Sequence, residues 1–163
     1  MKTKFEVIKA TMVKELGSAV TETGSGSSKT TYSYIELHDG HLLKQVEIGH
    51  ALDGKLAMAH AKNESVDLHI ASSSLAKELG IMAIRTSDSR LFAQNVPEFH
   101  LAFRLLVPFL YVSGVILLPF FGMGLPLLWI ARKVQKLIAV AGELRRYVRS
   151  LPDPILLGSE SWL

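Results

Sequence analysis

Residues 105–131 read LLVPFLYVSGVILLPFFGMGLPLLWIA, 27 consecutive positions without Asp, Glu, Lys, Arg, His, Asn or Gln. A run of roughly 18 or more apolar residues reads as a membrane segment. A chain this short has too little other protein to wrap such a run on every side. As one straight helix it would reach about 40 Å, against a bilayer core of about 30 Å. It must therefore tilt, kink or turn back. Pro108, Pro119 and Pro126 with Gly114, Gly122 and Gly124 interrupt it, densest over 119–126, where one helix can end and another begin. Two complete crossings would bury cations at both flanks, at about 2.5–3.5 kcal/mol each. The sequence predicts one hydrophobic membrane helix over 99–131, kinked by preference, with a re-entrant hairpin as the alternative. Arg104 on one side, and Trp129, Arg132 and Lys133 on the other, supply the aromatic residues and cations of an interfacial belt.

The net charge of +3 is unevenly spread. Residues 1–104 carry 12 basic and 12 acidic side chains. Residues 132–149 hold Arg132, Lys133, Lys136, Arg145, Arg146 and Arg149 against Glu143. The high isoelectric point thus comes from one stretch beside the apolar run, and the neutral N-terminal part argues against nucleic acid as a partner. Cysteine is absent, which removes disulfides, thiolate metal sites and cysteine nucleophiles.

Residues 1–98 read as a soluble β-rich domain of the small antiparallel barrel or sandwich kind. Alternation marks 4–10, with 11–16 extending it. Residues 17–30, GSAVTETGSGSSKT, read as a flexible loop. Two β-rich runs, 31–37 and 41–48, flank Asp39-Gly40, the strongest hairpin signal in the chain. Further strands are predicted over 55–62 and 65–70 about Asn63-Glu64, and over 80–86 and 91–95. A short serine-capped helix is predicted over 72–79. The expected class is α+β: this β domain, the membrane segment, and a basic amphipathic helix over 132–151. In that helix Val134, Leu137, Ala141, Leu144, Val148 and Leu151 form a packing or self-association seam. Residues 152–163 are expected to be a loose tail.

Local motifs for chemistry are weak. Gly24-Ser25-Gly26-Ser27-Ser28-Lys29-Thr30 resembles a phosphate loop in composition, but Ser28 stands where the glycine before lysine belongs, and a strand pattern follows. His38, His41, His50, His60 and His69 recur without a carboxylate motif for a metal. No G-x-S-x-G elbow frames a serine, and Asn63-Glu64-Ser65 matches the glycosylation pattern by three residues alone. No cofactor, metal or catalytic residue is assigned, and the chain reads as a non-enzyme.

The first 20 residues lack a secretory h-region, which favours a cytoplasmic N-terminal domain. The cations of 132–149 also place the C-terminal flank inside, and only a re-entrant segment satisfies both. The reading is an integral protein of a plasma or inner membrane, in contact with lipid and with a protein partner or a second copy. Its function is that of an accessory or regulatory protein whose β domain binds a partner near the membrane. The alternative is a membrane-shaping protein acting through a wedge and the basic helix.

Overall fold

The computed structural model describes residues 3–24, 27–72, 79–96, 101–118 and 124–157. The chain divides into two compact units, Met1–Pro97 with Leu144–Leu163, and Glu98–Glu143 inserted between those pieces.

In the first unit the strands β1 (Lys4–Thr11), β2 (Val13–Leu16), β3 (Ala19–Gly24), β4 (Ser27–Leu37) and β5 (Leu42–Gly49) come first. Helix α1 (His50–Ala61) follows, then β6 (Val66–Ser72), β7 (Leu79–Arg85) and β8 (Leu91–Gln94). The sheet is mixed and curled into a half-barrel, in the order β1-β6-β7-β5-β4-β2. One bent strand links its two edges. β1 runs antiparallel to β6 as far as Thr11 opposite Val66, and two residues later Val13 lies opposite Leu37 of β4. At the bend Ala10 adopts φ +49°, and its N–H donates to Asp67 Oδ1 at 2.7 Å. The register slips there, as a bulge requires.

The hairpin at Asp39-Gly40 forms as the sequence predicts. Gly40 donates to the Leu37 carbonyl and takes φ +86°, a conformation that suits glycine. Across β4 and β5 a second irregularity, Gln45 at φ +51°, moves the inward set by one residue. Tyr32 faces in with Val46 on one side of it, Ile35 and Leu37 on the other.

Four differences from the sequence reading have physical causes. The sheet is mixed rather than antiparallel, because α1 carries the chain across so that β5 and β7 run parallel. Residues 55–62 are helical rather than a strand: Leu52, Leu56 and Ala59, spaced by four and three, are buried against the sheet interior. Of the stretch 17–30, residues 19–24 and 27–30 are strand rather than loop, since β3 pairs with β4 from Ala19 opposite Tyr32 to Gly24 opposite Ser27; 25–26 lie outside the described residues. The tail contains β9 (Ile155–Leu157), parallel to β8. Of the helix predicted over 72–79, Ser72 belongs to β6 and Leu79 to β7, and 73–78 lie outside the described residues.

The second unit holds helix α2 (Leu101–Ile116) and the start of helix α3 (Gly124–Ser150), whose last turns belong to the first unit. The apolar run is therefore two helices, not one kinked span. Residues 119–123 lie outside the described residues. No helix among the described residues is long and apolar enough to cross a membrane.

Helix and strand make opposite claims about α1 that mutation can separate. In a strand Leu56 and Met58 would share a face, whereas in the helix Leu56 is buried and Met58 exposed. Leu56→Ala is expected to lower unfolding free energy by about 2–5 kcal/mol, and Met58→Ala to change it by less than about 0.5 kcal/mol. Urea denaturation followed by circular dichroism measures both, and equal losses would refute the helix.

Candidate functional site

Within the second unit α2 and α3 run antiparallel. Gly114 faces Gly124 and Leu128, and Tyr111 Oη donates to Gln135 Oε1 at 3.1 Å. A Cβ added at Gly124 would overlap the Gly114 carbonyl, and one added at Gly114 would lie 2.7 Å from Leu128 Cδ2. The absence of both side chains lets the two backbones meet.

Beyond Arg104, helix α2 is uncharged but covered on one side only. Val107, Leu110, Tyr111 and Gly114, with Leu117 just after the helix, are at least half-buried, while Leu105, Phe109, Val112 and Ile116 form an exposed stripe. Phe109 is 66% exposed. The exposed face of α3 begins the same way, with Leu125 (61%) and Trp129 (60%) one turn apart. It then changes character abruptly. Arg132, Lys133 and Lys136 follow Trp129 at steps of three, four and seven, so the cations lie on the face that Leu125 and Trp129 occupy. Lys133 Nζ sits 3.8 Å over the Trp129 ring, a cation–π contact of the kind found at interfaces. Arg104, also predicted for the interface, stands in the first turn of α2.

The predicted seam divides. Leu137 is 57% exposed, and Val134, Ala141 and Leu144 are half-buried. Val148 is buried with Ala83, Leu91 and Ala93, and Leu151 packs against them, so these two bind the chain's own sheet. Arg145 Nε donates to the Val96 carbonyl at 3.2 Å. Arg146 and Arg149 are exposed.

That docked end of α3 meets a histidine to which the sequence alone gives no partner. His69, 6% exposed, places Nδ1 2.8 Å from Tyr147 Oη, and the Tyr147 ring stacks on Phe5 at 4.1 Å. Burial pushes the His69 pKa down, the nearby Arg85 guanidinium adds to the shift, and Asp67 opposes it. Of the other histidines, His60 Nδ1 meets the Val13 carbonyl and His41 pairs with Asp39. Among the described residues no three His, Cys, Asp or Glu side chains converge as a metal site. A part-buried carboxylate network does exist: Asp53 accepts from Tyr32 Oη at 2.6 Å and Thr30 Oγ1 at 3.1 Å. Burial first, then its own bond to Asp53 and that carboxylate's charge, push the Tyr32 hydroxyl pKa up; the network fixes the start of α1 to β4. A shallow cavity of about 350 Å³ lies between Lys4, Phe5, Glu6, Ile70, Ser72 and Leu79.

Comparison with protein-family models and with curated proteins returns no match.

The sign of the His69 effect follows from its lowered pKa. The native state favours the neutral ring, so this contribution is whole above the unfolded value of about 6.5 and is lost progressively as pH falls from there through the lower native value. His41, raised chiefly by its hydrogen bond to Asp39, has the opposite sign. The informative quantity is therefore the difference between wild type and His69→Gln. The melting temperature of wild type is expected to fall further between pH 7 and 5 than that of the variant; parallel curves would contradict the assignment.

Proposed function

We propose that the protein is a membrane-attached accessory protein, held to one face of a bilayer by the α2–α3 hairpin, with its β unit available to a protein partner on that same face. The observation that carries this reading is the exposed apolar stripe of α2, continued by Leu125 and Trp129 of α3. An apolar surface of this extent is unusual on a chain left in water.

The dimensions favour entry without crossing. The 16 residues of α2 span about 24 Å. Beyond its first turn, which holds Arg104, about 18 Å remain. From Gly124 to the residue before Arg132, α3 offers about 12 Å. Half of a bilayer core is about 15 Å, so the hairpin matches one leaflet.

The connections agree with this reading. The chain leaves the β unit after Val96 and returns at Arg145, and those two residues are hydrogen-bonded. Entry and exit of the inserted segment thus lie together, which suits a segment that returns to its starting face. The accessory role rests on the outer surface of β3, β4 and β5. Lys29 there bridges Glu22 and Glu47 at 3.5 Å each, and Tyr34 donates to Glu15. This face is polar and, with Lys29 and Lys44 against Glu22, Glu36 and Glu47, slightly acidic, which suits a protein partner better than a polyanion.

The chain has no native cysteine, so Ala61→Cys and Ser150→Cys can each be labelled alone in intact cells with a membrane-impermeant thiol reagent. Both sites are expected to behave alike, both reacting or both protected until lysis. One reacting and the other protected would establish a spanning segment and end this reading.

A further inference from the structure

The exposed face of α3 changes from apolar to cationic within one turn, and that change specifies the lipid. Resting on the attachment reading above, we propose that this face binds anionic phospholipid: Leu125 and Trp129 enter the acyl layer, and Arg132, Lys133 and Lys136 meet the headgroup phosphates of the same leaflet.

Three observations converge. The five residues follow one another along a single helical face at steps of four, three, one and three, and all five are exposed. Trp129 stands at the boundary, its ring carrying the Lys133 ammonium at 3.8 Å. An indole between acyl chains and headgroups, with a lysine stem reaching outward over it, is the arrangement an interface favours. Between Arg132 and Ala141 there is no acidic residue, so nothing on that stretch offsets the three cations toward an anionic surface. Nucleic acid, the other common polyanion, does not account for an apolar stripe continuous with the cations. A zwitterionic surface would need the stripe but not the cations.

The test uses the full chain made by cell-free synthesis in the presence of preformed vesicles, followed by flotation. Vesicles of phosphatidylcholine alone are compared with vesicles containing about 30% phosphatidylserine, at low and at physiological salt. Wild type is expected to partition more strongly onto the anionic vesicles, by a margin that shrinks as salt rises. Replacing Arg132, Lys133 and Lys136 together by Gln is expected to remove that preference, lowering partition by about fivefold per cation. The charge-conserving set Arg132→Lys, Lys133→Arg, Lys136→Arg is expected to restore it.

A second variant separates this proposal from the one beneath it. Phe109→Glu with Val112→Glu damages the α2 stripe and leaves the cations in place. If this variant loses binding to both vesicle types while the Gln variant binds like wild type, attachment stands and anionic selectivity is overturned. If wild type floats with neither vesicle type, both readings fall. A vesicle-independent oligomer that buries Leu125 and Trp129 in a second copy would likewise overturn the lipid assignment.

Discussion

The close approach of Gly114 and Gly124 governs what the apolar run can become. Helices ordinarily stand 8–10 Å apart because side chains separate them. Here two residues without side chains meet, the Gly114 carbonyl occupying the space a Cβ on Gly124 would fill. That contact brings the helices together at the closed end of the hairpin, where Leu128 also packs on Gly114. Farther down, Tyr111 and Gln135 tie the same helices through a hydrogen bond. With one side of α2 used in this way, its other side is left as a continuous apolar stripe. The described residues of the run fall in two helices, neither of them long and apolar enough to cross a membrane.

The β unit solves a different problem, that of closing a curled sheet with few strands. Its first strand serves two edges by bending at Ala10, where a left-handed residue and the Asp67 carboxylate take up the backbone that pairing releases. Helix α1 then presents Leu52, Leu56 and Ala59 to the interior. Its Asp53 meets Tyr32 and Thr30 of β4, and Lys55 lies over the Phe92 ring at 4.4 Å. The outer side of β7 and β8 is covered by Val148 and Leu151 from the end of α3 and the residue after it.

Features encoded locally were legible in the sequence. The Asp39-Gly40 turn forms because its glycine is free to take a left-handed φ, and α3 begins at Gly124, inside the proline- and glycine-rich stretch 119–126, of which 119–123 lie outside the described residues. Helix α1 was hidden because 55–62, KLAMAHAK, fits period two as readily as period 3.6. Gly49 caps it without a side-chain hydrogen bond, so the usual start signal is missing as well. Strand β3, AVTETG, holds three β-branched residues, but they sit in a stretch whose Gly and Ser content hides them, and pairing with β4 orders it. The parallel partnerships of β5 with β7 and β8 with β9 depend on residues far apart in sequence, which no local window contains. At the candidate site the cations were found by composition. Their alignment with Leu125 and Trp129 needed the helix to begin at Gly124 and run unbroken through the cations. His69 became visible only when β6 brought it under Tyr147.

Because β9 and the last turns of α3 complete the β unit, the hairpin is an insertion within that unit rather than an appendage to it. Synthesis therefore delivers the parts in an order with consequences. Strands β1 to β8 emerge first, the two apolar helices next, and the segment that covers β7 and β8 last. At about 5–20 residues per second, the stretch from Ala131 to Leu157 takes about 1–5 s to make. For those seconds the nascent chain carries an exposed hairpin and an unfinished sheet together. Attachment to a bilayer in that interval would precede the completion of the fold, making the membrane the first partner the chain meets.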